Sequence, residues 1–295
     1  MSTKTNGNVS EPSIPRSPFE RIVVALDGST YGLVALEAAA TLAAALHAEL
    51  VGLFVEDVNL LRLAQLPFAQ EISYLAATPR KLDVARMTRQ LQARATQARQ
   101  QLRQSAENKE VRWSFSVVRG LIADELLSAT PATDLLVLGR VSHPRAQKSR
   151  LGSTARMVVD RATLARATHS ILLIPPGADL DRPVLALYDG SAGARRALIL
   201  AGKLAQATGR LRVLIWAADD ETVEQYRSDV VAQLAGLGVD LSFRRLHQEE
   251  SMRLADIVKR SAVGLFVLAG GETNLPPEAI RALLEACDVP VLVVR

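Results

Sequence analysis

Two hydrophobic patterns alternate along this chain. Short unbroken apolar runs, such as Ile22–Leu26, Leu135–Leu138 and Ile171–Ile174, read as strands buried on both faces. Longer stretches rich in Ala and Leu, with polar residues at helical spacing, lie between them. The pattern predicts strands at Arg21–Leu26, Glu49–Val55, Arg112–Val118, Asp134–Leu138 and Ser170–Ile174. Helices are predicted at Tyr31–Leu46, Leu82–Ala106, Ile122–Ala129 and Thr154–Ala167. Glu56–Thr78 reads as irregular or partly helical, placed to cover strand ends. After a Pro175-Pro176-Gly177 linker the order repeats. Strands fall at Val184–Tyr188, Arg212–Trp216, Asp240–Leu246, Gly264–Leu268 and Val289–Val293, with helices at Ala192–Ala207, Thr222–Leu237, Met252–Ser261 and Pro277–Ala286. Strands alternating with helices predict an α/β fold in which helices cover both faces of a parallel sheet.

The repetition extends to local sequence. RIVVALDGST from Arg21 aligns with RPVLALYDGS from Arg182, so Asp27-Gly28-Ser29 corresponds to Asp189-Gly190-Ser191. A period of domain size means tandem duplication rather than a solenoid. The expected organisation is a flexible tail over residues 1–18, a first domain over 19–176 and a second over 182–295.

The chemistry concentrates in the first domain. The run Leu135–Leu138 stops at Gly139, Ser142 follows, and Gly152-Ser153-Thr154 opens the next helix, giving Gly-x2-Ser-x9-Gly-Ser-Thr. A glycine at a strand end lets a ligand approach the backbone. A Gly-Ser-Thr helix start offers free N–H groups and hydroxyls to an anion, or serves simply as turn and cap. Arg145, Lys148 and Arg150 lie between them. Ligands of such sheets bind at the C-terminal ends of the strands, where Asp27, Val55 and Gly139 fall. Asp27-Gly28-Ser29 also reads as a turn with Ser29 or Thr30 as helix N-cap.

This pattern resembles the nucleotide signature of the universal stress protein family, Gly-x2-Gly-x9-Gly-Ser/Thr. Gly139, Gly152 and Ser153 match; Ser142 stands where the second Gly belongs, and Ala155 where a further hydroxyl is common. The resemblance covers about residues 19–295 and implies two tandem doubly wound, Rossmann-like domains, each a five-stranded parallel sheet with helices on both faces. It implies ATP as ligand, with Mg as its counter-ion. Asp27 would meet a ribose hydroxyl or the adenine edge, the Val55 backbone would recognise adenine, and Gly139, Gly152, Ser153 and Thr154 would contact phosphates. Ser142 would crowd the ligand with its Cβ or donate its hydroxyl. The two domains would pair through their last strands, Ile171–Ile174 against Pro290–Val293, as an intramolecular pseudo-dimer; both are uncharged apolar runs that would otherwise leave exposed edges. Whether two chains then form a homodimer is open. In the second domain Ala269–Pro277 lacks the spacer and the Gly-Ser pair, and Glu272 would repel phosphate, so a scaffold role is expected there.

Composition narrows the function. Residues 1–182 carry 22 Lys and Arg against 17 Asp and Glu, whereas 183–295 carry 13 against 14. From Arg140 to Arg166 there are seven cations and one acid, Asp160, which fits an anionic small ligand or a solvated helix face better than nucleic acid. Aromatic residues are 4% of the chain, too few for a base-stacking platform. The single cysteine, Cys287, fits core packing and a reducing cytoplasm. No stretch of about 18 uninterrupted apolar residues predicts a membrane span, and no apolar segment near the start reads as a signal peptide. The histidines are scattered, metal-ligand spacing is absent, and neither Gly-x4-Gly-Lys-Ser/Thr nor Gly-x-Ser-x-Gly occurs. The expectation is therefore a cytoplasmic stress-response protein holding an adenine nucleotide as a regulatory ligand, with at most slow hydrolysis. The competing expectation is a nucleotide-independent scaffold for a protein partner.

Overall fold

A computed structural model of the chain describes residues 18–66, 70–72, 79–81, 83–141, 151–164 and 169–295. The first half builds β1 (Arg21–Leu26), α1 (Thr30–Leu46), β2 (Glu49–Asp57), α2 (Val58–Gln65), β3 (Gln70–Ile72), β4 (Pro79–Lys81), α3 (Val84–Asn108), β5 (Trp113–Gly120), α4 (Ile122–Ser128), β6 (Leu135–Gly139), α5 (Ser153–Leu164) and β7 (Ser170–Ile174). The second half builds β8 (Val184–Tyr188), α6 (Ala192–Ala205), β9 (Arg210–Trp216), α7 (Asp220–Gln233), β10 (Asp240–Leu246), a 3-10 helix (Gln248–Arg253), α8 (Leu254–Arg260), β11 (Leu265–Ala269), α9 (Pro277–Ala286) and β12 (Val291–Val294).

Ten strands form one sheet in the order β10-β9-β8-β11-β12-β7-β6-β1-β2-β5. Read outward from the β12–β7 contact, the two halves have the same strand order, and neighbours within each half are parallel. The halves join where β12 and β7 pair antiparallel, Val291 opposite Leu173, Leu292 opposite Leu172 and Val293 opposite Ile171. The last strands therefore cover each other's edges, as the family resemblance implies and their uncharged sequences support.

Side chains alternate across the sheet and feed two apolar layers. In β6, Leu135 and Val137 face one layer and Leu136 and Leu138 the other; β12 divides likewise, Leu292 and Val294 against Val291 and Val293. Helices α1, α3, α6 and α7 cover the first layer. Helices α4, α5, α8 and α9 cover the second. Burial on both faces explains why these strands read as continuous apolar runs.

Among the departures from the sequence expectation, three have a local cause or change the element itself. β2 runs two residues past Val55 because Glu56 and Asp57 pair with Arg119 and Gly120 of β5. The Glu56 carboxylate is buried and accepts from Arg119 at 2.6 and 2.8 Å, so this polar end still holds as strand. The segment after β2 contains α2, capped by the Asp57 carboxylate accepting from Asn59 N–H at 2.8 Å, and the antiparallel β3–β4 pair. Met252, expected to open a helix, lies in the 3-10 turn before α8. Among the described residues no helix is long and apolar enough to cross a membrane.

Candidate functional site

The Asp-Gly-Ser turns form the same local structure in both halves. Gly28 and Gly190 have φ of 72° and 75°, values that favour glycine. The Asp27 carboxylate accepts from Ser29 N–H at 2.9 Å, and Asp189 accepts from Ser191 N–H at 3.0 Å. Ser29 caps α1 by accepting from Gly32 N–H at 3.0 Å, and Ser191 caps α6 by accepting from Ala194 N–H at 3.1 Å. Each turn places an aspartate at the C-terminal end of its half's central strand.

In the first half that position opens on a cavity of about 150 Å³. Asp27, Val55, Gly139 and Thr154, four residues from distant parts of the sequence, line it together. An engineered apolar cavity of similar volume takes a benzene-sized ring, so the space is on the scale of one small planar ring. Leu53, Leu126 and Leu138 supply apolar walls. β1 pairs β2 only as far as Leu26–Phe54, while β2 pairs β5 on to Asp57. From Val55 onward the β1-facing edge of β2 therefore lacks a described strand partner, and backbone polar groups without one need another acceptor or donor. Asp27 is exposed, and among the described residues Ser29 N–H is its one hydrogen-bond donor.

Gly152 and Ser153 stand behind this wall rather than among its lining residues. Gly152 N–H donates to Arg140 O at 2.8 Å, and a Cβ on Gly152 would lie 3.0 Å from the same oxygen. This glycine thus lets the start of α5 close against the chain leaving β6. Ser153 is exposed on the first turn of α5. Ala155 is buried with Leu151 and Val158 in the second apolar layer, so a hydroxyl there would enter the core. Ser142 and the cations Arg145, Lys148 and Arg150 lie outside the described residues.

Sequence reading missed Arg94. It lies on the exposed face of α3, lines the cavity, and has no ion-pair partner among the described residues. A Cβ on Gly28 would sit 3.2 Å from Arg94 O, so the glycine also allows α3 to approach the Asp27 turn. The signal that could have found it is the string of arginines on α3, which periodicity alone cannot assign to this wall.

The corresponding position in the second half is filled by the protein itself. Asp189 is buried and accepts from Thr273 Oγ1 and Asn274 N–H, each at 2.6 Å. Asn274 Nδ2 donates to Asp189 O at 3.0 Å. The first turn of α6 is occupied as well, Gly193 N–H donating to Glu272 O at 3.2 Å. The Glu272 carboxylate pairs with Arg196 at 2.9 Å. Tyr226 of α7 covers Gly190 so closely that a Cβ there would overlap its ring, and it meets Tyr188 edge-on at 5.4 Å. Burial, then the nearby Asp189 charge, raises the Tyr226 phenol above its ordinary pKa. Among the described residues no group of three or more His, Cys, Asp and Glu could hold a metal.

Comparison with known proteins gives the fold its context. A universal stress protein from Archaeoglobus fulgidus DSM 4304 is 15% identical, with TM-score 0.68, covering 95% of this chain and 99% of its own. A functionally unknown protein from Pseudomonas aeruginosa PAO1 is 14% identical, with TM-score 0.58, covering 94% and 92%. The cytoplasmic domain of a prokaryotic cation chloride cotransporter is 11% identical, with TM-score 0.50, covering 93% and 95%. No curated protein matches the chain. The universal stress protein family model matches residues 18–165, half of the chain, including the Asp27 turn, the Val55 strand and the Gly139–Thr154 stretch. By that match, on a fold shared with a solved member along nearly its whole length, this chain belongs to the universal stress protein family.

Proposed function

We propose that the chain is a tandem of two such domains, 19–176 and 182–295, and that it binds an adenine nucleotide, ATP with Mg as counter-ion, in the first. The observation that carries this reading is the contrast at the two aspartates: Asp27 is exposed beside an open cavity, whereas Asp189 is buried under Thr273 and Asn274. The base would enter between Leu53, Leu126 and Leu138, with its polar edge against the free strand edge at Val55. Asp27 would accept from a ribose hydroxyl. The phosphates would extend past Gly139 toward Thr154 and Ser153, where the N-terminus of α5 favours negative charge. Arg94 and Ser142 would add donors. The nucleotide acts as a regulatory ligand in the cytoplasm, stabilising the form that binds it by mass action.

The test begins with freshly purified protein, denatured and chromatographed for released nucleotide. The stripped protein is then titrated with Mg-ATP by calorimetry. The expected result is one nucleotide per chain, with binding abolished by Gly152→Val, whose side chain would press on Arg140 O. Unchanged binding in that variant would show the assigned site to be wrong. The competing reading, a nucleotide-independent scaffold for a protein partner, is favoured by the second half, which keeps the whole fold while filling its own crevice. No released nucleotide and no heat at millimolar Mg-ATP would select it.

A further inference from the structure

A larger cavity, about 520 Å³, lies at the seam of the two halves. Ile171 and Leu173 of β7, Val293 of β12 and Ile280 and Leu284 of α9 form apolar walls. Its polar features come from both halves. His169, just before β7, has a buried Nδ1 with no hydrogen-bond partner among the described residues. Arg295, just after β12, brings in a guanidinium, its main-chain N–H donating to Ser170 Oγ at 3.2 Å.

Gly270 and Gly271 look like plain turn residues in the sequence, and the first of them makes room for Val293 and the Arg295 side chain. Neither has a positive φ, so backbone conformation does not demand glycine at these positions. Space does at Gly270, where a Cβ would overlap Val293 and lie 2.9 Å from Arg295 Nε, whereas one on Gly271 would make only ordinary contact with Nη1 at 3.5 Å. Arg295 has no ion-pair partner among the described residues, and burial lowers its pKa. The neighbouring charges Glu272 and Arg281 are engaged elsewhere, with Arg196 at 2.9 Å and Asp160 at 3.2 Å. Glu278 is exposed on the first turn of α9. A partly buried cation with no ion pair among the described residues gains from a partner, and a carboxylate matches the guanidinium fork.

We infer that the seam cavity is a second ligand site, for a small carboxylate with an apolar body whose acid group pairs with Arg295 and whose body lies against Ile280 and Leu284. Its volume falls in the range of ordinary small-molecule sites. The site uses neither Asp27 nor Asp189, so it stands apart from the nucleotide reading.

The test is calorimetric titration of the 295-residue chain with octanoate and with phenylacetate, followed by octanol. At least one acid should bind saturably at one per chain. Octanol, and the acid with Arg295→Gln, should bind at least tenfold more weakly. Ile280→Trp, filling the cavity, should abolish binding while the thermal melt stays cooperative. Gly152→Val should leave acid binding unchanged, which separates this result from failure of the nucleotide site. No saturable heat from either acid at millimolar concentration would overturn the inference. Equal affinity of Arg295→Gln and the unaltered chain would overturn it too, whether or not Ile280→Trp folds.

Discussion

Asp27 and Asp189 occupy the same turn, cap the same kind of helix through the next serine, and end in opposite environments. Among the described residues, Asp27 is exposed with a single N–H donor, and Asp189 is buried with three donors to its carboxylate. The difference lies outside the turn. In the first half, the chain after β6 runs on for many residues before α5. In the second, the short connection from β11 to α9 folds back, with Thr273 and Asn274 on the aspartate and the Glu272 carbonyl on α6. Tyr226 closes the remaining side. Identical local chemistry can thus stay open beside a cavity in one half and form a structural latch in the other, because burial and neighbours decide what a carboxylate does.

Exchanging the perturbation between copies tests that contrast most strongly. Asp189→Ala leaves the Thr273 hydroxyl and two backbone N–H groups without their buried acceptor. It should cost about 3 kcal/mol of stability in chemical denaturation and leave Mg-ATP affinity unchanged. A loss below about 1 kcal/mol would break the latch description. Removing the ring in Tyr226→Ala should cost about 2 kcal/mol, since the residue is only partly buried. It should create no second nucleotide site in calorimetry, because Thr273, Asn274 and Glu272 still fill the crevice. Asp27→Ala should do the reverse of Asp189→Ala. Stability should move by about 0.5 kcal/mol or less, while Mg-ATP affinity falls about tenfold.

The smallest effect concerns pH. The Tyr226 phenol is raised by burial and by Asp189, so the folded state favours its neutral form. Its contribution is complete below the unfolded tyrosine value of about 10 and is lost as pH rises through the higher folded value. Tyr226→Phe should therefore be nearly neutral at pH 7 and lose less stability than the unaltered chain under alkaline conditions. Equal alkaline loss in both, followed by thermal melts, would remove Tyr226 from the account.

Much of the fold was legible in the sequence. Strands buried on both faces announce themselves as apolar runs, and the duplicated Asp-Gly-Ser marks equivalent turns. The pairing of Ile171–Leu173 with Val291–Val293 was implied by the family resemblance and supported by two apolar, uncharged strands that would otherwise leave exposed edges. The extension of β2 was not legible, because Glu56 and Asp57 are poor strand formers whose place depends on Arg119 opposite them. The site was legible in part: Asp27, Val55, Gly139 and Thr154 do meet around one cavity. Gly152 proved to be a point of backbone approach behind it, and Arg94 was invisible because several arginines share its helix.

The sequence by itself determined what depends on short range or on periodicity: the α/β order, the turns requiring glycine at Gly28 and Gly190, the serine caps and the two-sided burial of the strands. Only the tertiary structure decided which aspartate stays open, why Gly270 lacks a side chain, and that Arg295 enters a cavity built from both halves. Those outcomes rest on groups far apart in the chain competing for the same space and the same hydrogen bonds. No local pattern encodes that competition, because its result depends on which backbone the fold brings alongside.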